Sequence, residues 1–81
     1  MVPKVIIQVN GERREFSEGL TIDSLISTLG LEPTRVAIEL NQSVVRRNDW
    51  EATVLHDEDR VEIVHFVGGG ASVSGERYGV G

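Results

Sequence analysis

Apolar residues recur every second position at the start of the chain, where Val5, Ile7 and Val9 interleave with Ile6, Gln8 and Asn10. A period of two places all three on one face of a strand. The strand runs into Asn10-Gly11, two residues that tolerate positive φ and so favour a tight hairpin, which predicts an antiparallel return over residues 12–16. Ser17-Glu18-Gly19 breaks that strand. The period then changes. Ile22, Leu25, Ile26 and Leu29 stand at i, i+3, i+4 and i+7 behind Thr21, a side chain able to cap the first turn, so the pattern predicts an amphipathic helix over residues 22–29. Gly30 is placed to end it in a left-handed conformation, and Pro33 prevents its continuation.

Beyond the helix the period of two returns. Val36, Ile38 and Leu40 alternate with Ala37, Glu39 and Asn41, predicting a third strand, and Asn41-Gln42-Ser43 reads as a turn into a brief strand at Val44 and Val45. Residues 46–51 read as a loop or single helical turn carrying Trp50 over one end of the core, and residues 52–55 as a weaker strand. Asp57-Glu58-Asp59 supplies a last polar turn before a strand over residues 60–67 that is apolar on both faces, the signature of a strand in the middle of its sheet. This order of elements predicts an α+β fold of the β-grasp type, a mixed sheet of four to five strands wrapped around one helix.

Length and charge narrow the function. Eighty-one residues make one small domain, a size that buries only about 60% of its unfolded surface and leaves no room for a second, catalytic one. A formal net charge of −5 works against binding a phosphate backbone, so no nucleic-acid partner is expected. No apolar run approaches the length of a membrane span, no signal-peptide pattern opens the chain, and no cysteine is available for disulfides or thiolate ligands, which together suggest a cytoplasmic protein with no membrane partner. His56 and His65 stand apart from any ligand cluster, and Asp57-Glu58-Asp59 lacks the spacing of a calcium loop, so no metal site is expected. No nucleophile with its base, no phosphate-cradling loop and no cofactor motif is present, which argues against an enzyme.

The chemistry-bearing feature is Gly68-Gly69-Gly70, directly after the last strand. Residues without Cβ let a backbone thread a narrow slot that side chains would block. The division of the chain is therefore a body over residues 1–67, a flexible arm over 68–70, and a tail over 71–81 whose Gly, Ser and polar composition suggests disorder and protease access. Phe66 and Val67, large apolar residues beside the arm, are candidates for partner docking.

Taken in order, the Asn10-Gly11 hairpin, Leu20-Thr21-Ile22, the Val36-Ala37-Ile38-Glu39-Leu40-Asn41 strand, Val45-Arg46-Arg47-Asn48-Asp49-Trp50, Asp59-Arg60-Val61-Glu62-Ile63 and the glycines resemble the ThiS family of sulfur carriers in thiamine biosynthesis over residues 1–70. The resemblance implies a ubiquitin-like carrier and co-substrate, a monomer when alone, with no bound cofactor. It implies that an adenylating enzyme related to ubiquitin-activating enzymes uses ATP to activate a terminal glycine carboxylate, matched here by Gly70. Conversion to a thiocarboxylate and delivery of sulfur to thiazole synthase would follow. The tail departs from the family pattern, because with it attached Gly70 carries an amide, so the expectation is a precursor trimmed after Gly70 by a protease. Two alternatives stay open: a ubiquitin-like interaction module in which the glycines are a linker, and a molybdopterin-type sulfur carrier.

Overall fold

The computed structural model describes residues 3–66 and, near the C-terminus, the backbone of Gly75–Arg77. Strand β1, Lys4–Val9, turns back at Asn10 (φ 51°) and Gly11 (φ 83°) into β2, Glu12–Ser17, with Val9 opposite Glu12 and Lys4 opposite Ser17. Two consecutive positive φ values make the tight hairpin turn whose twist matches its strands, which explains why Asn-Gly stands there. The inward residues Val5, Ile7 and Val9 are buried, whereas β2 is almost wholly exposed at the sheet edge.

Helix α1, Ile22–Thr28, starts where the Ser24 N–H donates to the Thr21 hydroxyl at 3.1 Å. It stops where Gly30 takes φ 72°: the Gly30 N–H donates to the Ser27 carbonyl and the Leu31 N–H to the Ile26 carbonyl, closing the last turn. Ile22, Leu25 and Ile26 are buried against the sheet, and Leu29 packs at the margin of the same cluster. Pro33 then opens a single 3₁₀ turn, Pro33–Arg35, that leads into the third strand.

Strands β3, Val36–Leu40, and β4, Ser43–Val45, form a second hairpin around Asn41 (φ 50°) and Gln42 (φ 74°). A 3₁₀ turn, Arg47–Asp49, swings Trp50 under the sheet, where it is buried and its indole N–H donates to the Val45 carbonyl at 2.9 Å. Residues 52–55 do not form the strand their pattern suggests. A single bridge joins Val54 to Thr21, while the Ile22 N–H donates to the Thr53 carbonyl and the Leu55 N–H to the Leu20 carbonyl. The segment spends its backbone groups on the start of α1, leaving Leu55 as a buried plug.

Strand β5, Arg60–Phe66, lies in the middle of the order β2-β1-β5-β3-β4, parallel to β1 and antiparallel to β3. Its central place accounts for its apolar content, with Val61 and Ile63 buried under α1. Strand β6, Gly75–Arg77, adds antiparallel to the C-terminal half of β5. Over those three residues the segment read as a disordered tail is strand; pairing is a backbone interaction and leaves no mark in composition. The rest of that tail, with the arm at 68–70, lies outside the described residues.

The C-terminal end of the central strand as candidate functional site

The candidate site lies where β5 leaves the sheet, so its geometry depends on what fixes β5. Strand β1 pairs with β5 only at Gln8 opposite Arg60 and Val9 opposite Val61. At the next position the backbone turns away, and the side chain of Asn10 takes over. The Ile63 N–H donates to Asn10 Oδ1 at 2.7 Å, and Asn10 Nδ2 donates to the Ile63 carbonyl at 3.3 Å. The Asn10 amide thus substitutes for one more rung of strand.

The acidic turn before β5 is a second clamp. Asp57 Oδ1 accepts from the Ile6 N–H at 2.7 Å, and the Glu58 N–H donates back to the Ile6 carbonyl at 2.8 Å. Asp59 spans the other side, Oδ2 accepting from the His56 N–H at 2.7 Å and Oδ1 from Asn41 Nδ2 at 3.0 Å; Asn41 Oδ1 in turn accepts from the Arg60 N–H at 3.0 Å. Carboxylates accepting N–H groups make short, charge-assisted bonds. The cluster that reads from sequence as a solvated turn therefore ties β1, β5 and the β3–β4 turn together. Among the described residues, no three His, Cys, Asp or Glu side chains form a group able to hold a metal ion.

Alternation along β5 puts Val61, Ile63 and His65 toward the helix side and Glu62, Val64 and Phe66 on the opposite face. On that outer face Val64 stands across from Ala37 and Glu62 across from Glu39, while Glu39 is also opposite Val44 on β4. Phe66 is 37% exposed and Val44 is 71% exposed, so the face presents apolar groups beside two glutamates. Of the residues singled out from sequence, Phe66 is found at the exposed end of β5. Val67, Gly68, Gly69 and Gly70 lie outside the described residues. Sequence reading assigned Asn10 only a turn and gave Asn41, Asp57 and Asp59 no anchoring role. The partners of Asn10 and Asp57 are 53 and 51 residues away, and that distance hides the link.

A mixed sheet clasping one helix defines a β-grasp domain. The model of the ThiS family matches residues 7–70, and a crystal structure of a thiamine biosynthesis protein (ThiS) from Geobacter metallireducens superposes with a TM-score of 0.72 at 35% identity, covering 82% of this chain and all of that one. The chain belongs to the ThiS family. It is 35% identical over 66 residues to the sulfur carrier protein ThiS of Bacillus subtilis, covering 80% of this chain and all of that protein. It is also 44% identical over 64 residues to a thiazole synthase of Magnetococcus marinus, covering 79% of this chain but 20% of that protein. The chain thus spans about a fifth of the length of the thiazole synthases it matches.

Proposed function

We propose that this protein is a sulfur carrier of thiamine biosynthesis, a co-substrate and not a catalyst, that carries sulfur as a thiocarboxylate on Gly70. The observation that supports this most is the end point of the family match: it stops at Gly70, the last of three glycines that follow the central strand by a single residue. A carboxylate there would attack the α-phosphorus of ATP in an adenylating enzyme, expelling pyrophosphate, and a sulfur donor would then displace AMP to leave the thiocarboxylate. The body's part is presentation. With β5 clamped by Asn10, Asp57 and Asp59, a glycine arm would extend from a fixed point, and orientation of the carboxylate would be limited by the arm alone.

Phe66, with Val67 after it, would dock on the adenylating enzyme through the outer face of β5, where Val64 and Ala37 widen the apolar surface and Glu39 favours a basic group on the partner's rim. Thiazole synthase is the proposed sulfur acceptor. That reading is supported by the thiazole synthases of Magnetococcus marinus and Paramagnetospirillum magneticum, in which a stretch like this chain forms part of a longer protein. The tail requires one further step, proteolysis after Gly70, to free the carboxylate, and the setting is cytoplasmic. No helix among the described residues is long and apolar enough to cross a membrane.

Pyrophosphate exchange with the purified adenylating enzyme tests the proposal. A chain ending at Gly70 should support ATP-dependent exchange, and the full chain should not until a protease has trimmed it. Exchange by neither form would discard the carrier reading in favour of a ubiquitin-like interaction module.

A further inference from the structure

Beyond Asn10 the β1 side of β5 has no more of β1 to pair with, and three residues of the chain's own C-terminal segment take that place. The register sets Val64 opposite Arg77, His65 opposite Glu76 and Phe66 opposite Gly75. Backbone direction along β5 identifies the rung that holds them. Val61 accepts from the Asn10 N–H and Ile63 exchanges both its groups with the Asn10 side chain, so odd-numbered residues of β5 aim their N–H and C=O at the β1 side. His65 is the next in that series, which makes His65 with Glu76 the hydrogen-bonded pair and leaves Val64 with Arg77 and Phe66 with Gly75 as flanking, non-bonded pairs.

We propose that the β5 edge at Val64, His65 and Phe66 is a strand-addition site for an extended main chain, and that Gly75–Arg77 is its built-in, displaceable occupant. Strand addition works through main-chain bonds, and an edge left open invites it. Among the described residues the occupant is three residues long, begins with a glycine and holds by one bonded rung, a short pairing for a sheet strand. By contrast, β1 and β2 pair over six positions and β3 and β5 over five. The tail therefore blocks this edge reversibly, and an extended segment of a partner adds beside Phe66 only after the tail has left. The edge is a site apart from the outer-face surface of β5, and neither nucleotide nor sulfur enters its test.

Amide hydrogen exchange on the full chain tests it, with Glu76→Pro as the variant, since proline has no N–H to donate and residue 76 lies far from the core in sequence. The His65 amide should exchange about tenfold faster or more in the variant, as expected when a bonded rung opens, while the Ile63 amide, held by Asn10, keeps its wild-type rate. A synthetic peptide of residues 71–81, added to the variant at about the millimolar effective concentration of a tethered segment, should restore His65 protection, and the same peptide with the Glu76→Pro change should not. Equal His65 exchange in the two chains would overturn the proposal. So would an unaltered peptide that leaves His65 unprotected, or one that protects it no better than the proline peptide.

Discussion

Replacing Asn10 with glycine removes the amide that stands in for a rung between β1 and β5 while keeping the turn, because glycine adopts φ near 51° without strain. The loss is then chiefly that of two hydrogen bonds to Ile63, a residue with no exposed surface. Leaving the Ile63 N–H without its 2.7 Å partner costs about 1 to 3 kcal/mol, the longer 3.3 Å bond to its carbonyl adds a smaller amount, and glycine's greater freedom in the unfolded chain adds about 0.5 to 1 kcal/mol. The expected destabilisation is about 2 to 4 kcal/mol, a large share of what a domain this size possesses. With a urea dependence of roughly 1 kcal/mol per molar, the unfolding midpoint should fall by about 2 M or more. Asn10→Asp divides the effect: it keeps an acceptor for the Ile63 N–H and loses only the donor, so it should cost about 1 kcal/mol. Equilibrium urea unfolding followed by Trp50 fluorescence measures all three chains. A glycine variant within about 0.5 kcal/mol of wild type would refute the reasoning, since that is the scatter of surface changes that touch nothing.

Other expectations follow from the same packing. Leu25→Ala, at a position with no exposed surface on the buried face of α1, should destabilise by about 2 to 5 kcal/mol in the same unfolding assay, and an unchanged midpoint would contradict the clasped helix. Asp59→Ala strips partners from both the His56 N–H and Asn41 Nδ2 and should cost about 1 to 3 kcal/mol, with faster exchange of the His56 amide as its local sign. Trp50→Phe keeps an aromatic ring in the core but loses the bond to the Val45 carbonyl, and a loss of about 1 kcal/mol or somewhat more is expected by thermal unfolding. Gly70→Ala in a chain ending at that residue should leave the unfolding midpoint unchanged and reduce pyrophosphate exchange, separating a role in threading from a role in folding.

Much of this fold is legible locally. Asn10-Gly11, Thr21 with its helical spacing, Gly30 and the apolar β5 each carry their signal within a few residues, and the structure uses them as hairpin, cap, stop and central strand. What stays hidden is pairing between distant residues. Nothing beside Asn10 announces Ile63, nothing beside Asp57 announces the Ile6 amide, and a short strand at Gly75–Arg77 held through backbone groups has no side-chain pattern to betray it. Residues 52–55 show the converse error, an apolar pattern that serves to seat a helix start and fill the core. At the candidate site, the glycines and Phe66 can be nominated from residue type alone, and the glycines lie outside the described residues. The clamps that hold β5 cannot, because these are made by polar residues that look like ordinary turn formers.

The central claim, a processed carrier activated at Gly70, is tested most directly by the intact mass of the protein isolated from its native cell, measured again after incubation with ATP, the adenylating enzyme and a sulfur donor. The account predicts a chain ending at Gly70 that then exchanges one oxygen for sulfur. A chain that still ends at Gly81 and keeps its mass unchanged through the incubation would contradict it.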